Sequence, residues 1–143
     1  MSVKTYDAKN VIITIAGVPM SGFSDGTFLE VVRNEPTWTT VVGADGLVTR
    51  SKTNNLTGTL TLTLKQSSPS NDVLSGLLAV DELTNQGVFP VLIKDLSGNS
   101  IYFSANAWIT QYPSSTFGKE VSDRQWVLSL DEADMFVGSN SGS

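Results

Sequence analysis

Residues 57–65 read TGTLTLTLK, and this stretch decides the fold class of the chain. Polar and apolar residues alternate with period two, which is typical of a β-strand with one face in a core and the other in solvent. The solvent face has two interpretations: an ordinary hydrated sheet surface, or an uncharged channel wall past which a polyanion slides. The residues on that face are Thr57, Thr59, Thr61 and Thr63.

The strand pattern changes directly into a helix pattern after residue 66. We expect a helix that starts at Ser68 or Ser70, with Pro69 in its first turn and Asp72 beside the positive end of its dipole. The helix is predicted to stop near residues 85–87, with Gly87 in the left-handed cap conformation. The apolar residues expected on its buried side are Val73, Leu74, Leu77, Leu78 and Leu83.

The rest of the chain is predicted to form short strands separated by turn residues, about eight to ten strands in all. Closely spaced strands with one helix among them favour a mainly β fold, an antiparallel β-sandwich or small barrel with one flanking α-helix. We expect a single domain over residues 1–143, of which 138–143 form a flexible Gly/Ser/Asn tail. The strand segments are 10–16, 27–33, 37–42, 47–53, 56–64, 91–93, 101–103, 105–112 and 121–130.

The composition argues against catalysis and against secretion. The chain has no cysteine and no histidine, which removes thiolate metal sites, cysteine nucleophiles and the commonest general base. A carboxylate pair of the glycosidase type remains conceivable, but the sequence marks no such pair. We therefore expect no enzyme activity, no metal and no cofactor. The start of the chain lacks an apolar signal region, and no apolar run is long enough to span a membrane, so cytoplasmic assembly is expected.

The charge distribution disfavours tight binding of nucleic acid. The nine basic residues are scattered against fourteen acidic ones, giving a net charge of −5. Only Arg50 and Lys52, with Arg33 as a neighbour, are expected to form a small basic patch. A grip on phosphates needs several clustered cations. A mildly acidic protein can still enclose DNA, because like charges keep the polyanion from adhering.

Two further groups of residues have a functional and a structural interpretation. The acidic run 131–134 is predicted to be a solvated turn, since it lacks the spacing of a cation-binding loop. Trp38, Trp108 and Trp126 fill a core or a subunit contact, or else they form a stacking platform for sugars. The platform defines the alternative function, a carbohydrate-binding or adhesin module built on a β-sandwich.

Five linked segments stand out along the chain: FSDGTF at 23–28, VGADG at 42–46, LTLTLKQSSPSND at 60–72, FGKE at 117–120 and DMFVG at 134–138. Together they resemble the tail tube subunits of bacteriophages. The resemblance runs in matching order from Tyr6 to Gly138. It implies a virion structural protein whose six copies form a ring, with rings stacked into the conduit for DNA ejection. It further implies a contractile tail, with sheath, tape measure and baseplate proteins as partners.

The resemblance also gives a role to the loop at 43–46, where an Asp-Gly pair predicts a hairpin with a slightly long turn. This hairpin is our candidate for an arm that reaches a neighbouring subunit or ring, and a plain surface hairpin is the alternative. The four threonines of the alternating strand are the candidates for the surface that lines the channel. The candidate interface residues are Val41, Val42, Gly43, Ala44, Asp45, Gly46, Leu47 and Val48.

Overall fold

The computed structural model describes residues 10–139, and these residues form ten strands and one α-helix. All strand pairings in this range are antiparallel. The elements are β1 (Val11–Ile15), β2 (Val18–Pro19), β3 (Leu29–Arg33), β4 (Trp38–Val42), β5 (Val48–Lys52), β6 (Gly58–Lys65), α1 (Ser70–Thr84), β7 (Phe89–Asp95), β8 (Ile101–Gln111), β9 (Asp123–Leu130) and β10 (Asp134–Phe136).

Eight of the strands form one curled sheet, in the order β2-β1-β7-β8-β9-β6-β3, with β10 paired to β8. The curl brings the two ends of the sheet near each other, because residues of β1, β3, β7 and β8 line one cleft of about 510 Å³. The remaining strands, β4 and β5, pair only with each other in a separate two-stranded sheet. The fold is therefore mainly β with one flanking helix, as predicted.

The decisive stretch forms β6 in the middle of the core. Leu60, Leu62 and Leu64 are fully buried, and the residues between them are half-exposed, as the alternation predicts. Leu62 lies opposite Trp126 on β9. The indole Nε1–H of Trp126 donates a 2.9 Å hydrogen bond to Asn71 Oδ1, which fixes the first turn of α1 to the sheet.

The helix differs from its prediction at the C-terminal end. Leu83 is 85% exposed instead of buried. At 3.6 residues per turn, Leu83 lies about 180° around the helix from Leu74, so it cannot share the buried side. The left-handed cap is Asn85, at φ +57°, and not Gly87. Gly87 is required for a different reason: an added Cβ would lie 2.2 Å from the Cβ of Asp81.

Two strand assignments also change. The predicted segments 101–103 and 105–112 form the single strand β8, which passes through the buried Ser104. The acidic run 131–134 is a turn only in its first part, because Asp134 starts β10 opposite Phe103. Of the expected tail, Gly138 exchanges hydrogen bonds with the Ser100 hydroxyl. Residues 140–143 lie outside the described part of the chain.

Candidate assembly and channel surfaces

The hairpin predicted around the Asp-Gly pair is present, with β4 and β5 as its strands. The Gly43 N–H donates to the Leu47 carbonyl at 2.8 Å, and the Gly46 N–H donates to the Gly43 carbonyl at 2.9 Å. Gly46 has φ +85°, and the Asp45 carboxylate accepts the Leu47 N–H at 3.1 Å. The Asp-Gly preference for this backbone geometry therefore produces the turn.

We call this hairpin the β4–β5 arm (residues 38–52). No other part of the chain that the structure describes buries its strands. Every residue of both strands is exposed. Its tip carries four large apolar side chains that are 61–65% exposed, namely Val41, Val42, Leu47 and Val48. An isolated two-stranded ribbon is only marginally stable in water, and the exposed apolar side chains at its tip are available for contacts with a partner.

Near the base of the arm an aromatic–cation contact stiffens the ribbon. The guanidinium carbon of Arg50 lies 3.9 Å from the centroid of the Trp38 ring. Trp38 and Arg50 share one face of the ribbon with Val42 and Val48, since Trp38 pairs with Lys52 and Val42 with Val48. This face therefore offers a continuous surface from the base of the arm to its tip.

The second candidate surface is the solvent side of β6, which we call the threonine face. Thr59, Thr61 and Thr63 alternate with the buried leucines and are half-exposed. Thr57 lies one residue before the strand, and its hydroxyl donates a 2.6 Å hydrogen bond to Asn55 Oδ1. The strand thus carries three of the four predicted threonines, and the fourth belongs to the turn that leads into it.

The register of the sheet extends this face over two neighbouring strands. Residues directly opposite each other in an antiparallel pair point to the same side. Sequence reasoning did not assign the β9 and β3 residues to this face, although the alternation within 123–130 contains the signal. The opposed side chains are Ser129, Val127 and Gln125 on β9, and Val32 and Glu30 on β3. Among these residues, Glu30 is the one that carries a charge.

Of the expected basic patch, Arg50 and Lys52 lie two residues apart on β5 and so share one face of the arm. Arg33 is engaged elsewhere, since its Nε and Nη2 donate to the carbonyl of Ala133 at 3.0 and 2.7 Å. A platform of three tryptophans is not available, because Trp126 is 1% exposed. Between residues 10 and 139, no three Asp or Glu side chains are grouped to hold a metal ion. The helix in this range is too short and too polar to cross a bilayer.

A comparison with protein families matches residues 3–138 to the family described as "Bacteriophage PhiTE tail tube protein". The chain belongs to this tail tube family. It is 37% identical to "Structural protein ORF10" of Pseudomonas phage KPP10, over 95% of this chain and 83% of that protein. Membership makes the protein a structural component of a phage tail and not an enzyme.

Solved structures confirm the fold at much lower identity. The sheath/tube terminator of the extracellular contractile injection system PVC, in the extended state, matches with a TM-score of 0.66 and 13% identity, over 96% of this chain and 100% of that chain. The tube-terminating cap of the anti-feeding prophage matches with a TM-score of 0.65 and 14% identity, over 95% and 94%. These two injection-system chains therefore share the overall fold of this chain.

Proposed function

We propose that the chain forms hexameric rings that stack into the tube of a contractile phage tail, and that this tube is the conduit for DNA ejection. Family membership supports the tube, and the fold shared with contractile injection systems supports the tail type. The unit that assembles is the whole chain, residues 1–143, as one domain. Assembly takes place in the cytoplasm of the host bacterium.

One structural observation carries the proposal: the β4–β5 arm exposes its apolar tip and all of its strand residues. Another copy of the chain can supply a packed partner for such a ribbon, and closed or stacked assembly removes exposed edges and apolar surface together. The interface residues of the proposed arm are 41–48. The threonine face is the proposed lining of the bore, since its hydroxyl groups are uncharged and give DNA no cation to hold.

The proposed partners follow from the position of such a tube in a tail. A sheath surrounds it, a tape measure protein occupies it before ejection, and a baseplate closes its distal end. DNA passes through without specific contacts, in keeping with the net charge of −5. No membrane takes part in the assembly.

Electron microscopy of the purified protein tests this function. Negative-stain images of concentrated protein, with and without tail fragments as seeds, should show rings or tubes, and class averages of end views should show six subunits. A protein that stays monomeric under all of these conditions contradicts the proposal.

Deletion of Asp45 and Gly46 provides the matched variant for the arm. The deletion changes only the turn, so the monomer should fold with an unchanged circular dichroism spectrum while polymerisation is lost. Tubes of normal length from this variant would exclude the arm as the assembly contact.

A further inference from the structure

Arg124, the second residue of β9, is a buried cation that has no carboxylate partner among the residues the structure describes. It is 7% exposed. Between residues 10 and 139 the one ion pair joins Lys65 to Asp25, so no carboxylate in this range lies within ion-pair distance of the guanidinium. Nη1 donates to the Ser122 hydroxyl at 2.7 Å and to the Asp123 carbonyl at 3.2 Å, and Nη2 donates to the Thr116 carbonyl at 2.9 Å. Neutral oxygens orient the group but leave its charge uncompensated.

Two N–H donors of Arg124 are left over for a further partner. Arginine has five N–H donors, and three hydrogen bonds are made here, which leaves Nε–H and one N–H on Nη2 without a partner among the described residues. Each of these donors can form a charge-assisted hydrogen bond with a carboxylate oxygen.

Arg124 opens into a cleft of about 380 Å³ beside α1. The cleft is lined by aromatic and neutral polar side chains, including Gln66, Tyr112 and Trp126, and no acidic residue is among its lining residues. Phe117 stands at this cleft with 82% of its surface exposed, and its ring centroid lies 5.4 Å from the Arg124 guanidinium carbon. The volume falls in the range of about 300–1,000 Å³ found for ligand clefts, which is ample for one acidic side chain.

Complementary charge lies at the opposite end of the same strand. β9 ends at Leu130, and Asp131 and Glu132 follow it directly as two exposed carboxylates, which we call the acidic turn. Neither makes an ion pair within residues 10–139. At about 3.3 Å per residue, the strand separates the acidic turn from Arg124 by about 25 Å. The two groups therefore cannot meet within one copy.

We propose that the Arg124 cleft of one copy receives the acidic turn of the next copy. This inference rests on the proposed assembly and names a contact within it. A positive cleft at one end of β9 and a negative turn at the other define a head-to-tail contact, which repeats from copy to copy and builds stacked or ring-shaped polymers. Each copy has a net charge of −5, so two copies repel each other overall. A local contact between a cation and a carboxylate opposes this repulsion and fixes how the two copies align.

Chemical cross-linking tests the contact directly, because the chain contains no cysteine. Phe117 and Glu132 are both exposed, so each can be replaced by a single cysteine. The variants Phe117→Cys and Glu132→Cys are mixed, allowed to assemble and treated with a short bis-maleimide. We expect cross-linked 117–132 dimers in about tenfold or greater excess over the control pair Val80→Cys with Glu132→Cys, because adjacent thiols react at high effective concentration. Val80 is exposed on α1 and serves as the matched position outside the cleft.

Neutralising the acidic turn tests the charge. The double variant Asp131→Asn/Glu132→Gln keeps side-chain shape on an exposed turn, and it should raise the critical concentration of assembly about ten- to hundredfold, the loss expected for a hydrogen bond to a charged group. Arg124→Lys keeps the charge but has fewer donors, so it should weaken assembly less. In the Arg124→Lys background, the neutralised turn should have a smaller effect than in the wild type.

The outcomes separate this proposal from the proposed function. Normal assembly without 117–132 cross-links and without sensitivity to the neutralised turn overturns the contact and leaves the tube intact. A predominance of 117–117 cross-links indicates a symmetric contact and also overturns it. A wild-type protein that never assembles removes both.

Discussion

Replacing Val42 and Val48 by threonine tests whether the tip of the β4–β5 arm is buried in the tube. The two valines lie directly opposite each other on one face of the arm. Threonine has nearly the same shape and is also β-branched, so the cross-strand pair and the ribbon itself are retained. Because both positions are exposed, the free energy of unfolding of the monomer should change by less than about 0.5 kcal/mol.

The expected effect on assembly follows from the exposed area that a partner would cover. Val42 and Val48 are 63% and 61% exposed. With about 1.5 kcal/mol for complete burial of a valine, covering the exposed part stabilises the contact by about 0.9 kcal/mol at each position. A buried hydroxyl without a full partner adds about 1 kcal/mol at each. The pair of substitutions should therefore weaken each contact by about 2–4 kcal/mol.

The assay is the critical concentration for polymerisation, measured by light scattering and by pelleting. A loss of about 2–4 kcal/mol corresponds to a rise of about 30- to 700-fold in that concentration. Val80→Thr is the matched control, since it makes the same change at a position on α1 that is 52% exposed, and it should have little effect. An unchanged critical concentration for the double variant, with the monomer intact, would refute the docking of the arm tip.

Three further predictions concern the monomer and the bore. Asn71→Ala leaves the buried indole N–H of Trp126 unpaired and should lower the free energy of unfolding, measured in urea, by about 2–4 kcal/mol. The control Ser75→Ala, also on α1, should stay within about 0.5 kcal/mol of wild type. Equal losses for both variants would contradict the anchoring of α1. Gly22→Ala should lower the free energy of unfolding by more than about 1 kcal/mol, because φ at Gly22 is +71° and the new Cβ would lie 2.6 Å from the Cβ of Ser68. In the control Gly26→Ala the new Cβ meets open space. Similar melting temperatures for the two variants would argue against strain at residue 22. Thr63→Lys introduces a cation opposite the neutral Gln125, so it should leave the fold intact and make assembled tubes retain duplex DNA in a salt-dependent manner. Tubes that release DNA as wild type does would count against a bore lined by the threonine face.

Local patterns in the sequence were sufficient for the elements whose signals are strong. The alternation in β6, the serine-rich start of α1 and the Asp-Gly turn of the arm each depend on a few adjacent residues, and all three are found where the pattern places them. The error at Leu83 arose from counting apolar residues without their angle around the helix. The end of α1 near residue 85 is as predicted, but the capping residue could not be chosen correctly, because Asn85 and Gly87 both tolerate a left-handed backbone and only the packing of Asp81 distinguishes them.

The surfaces that matter for assembly depend on contacts between distant segments. The full extent of the threonine face depends on β9 and β3 lying beside β6, and these pairings join segments between residues 29 and 130. Arg124 looked like one of several scattered cations, and its burial arises only when the loop at 112–122 folds back over it. The β4–β5 arm was identified as a hairpin, yet its complete exposure could be established only from the three-dimensional arrangement.

The central claim is that the β4–β5 arm is completed by another copy of the chain. Hydrogen–deuterium exchange of the same protein as monomer and as assembled tube measures this directly. We predict that amides of residues 38–52 exchange rapidly in the monomer and become strongly protected in the tube, while β6 is protected in both. Rapid exchange throughout the arm in fully assembled tubes would contradict the account.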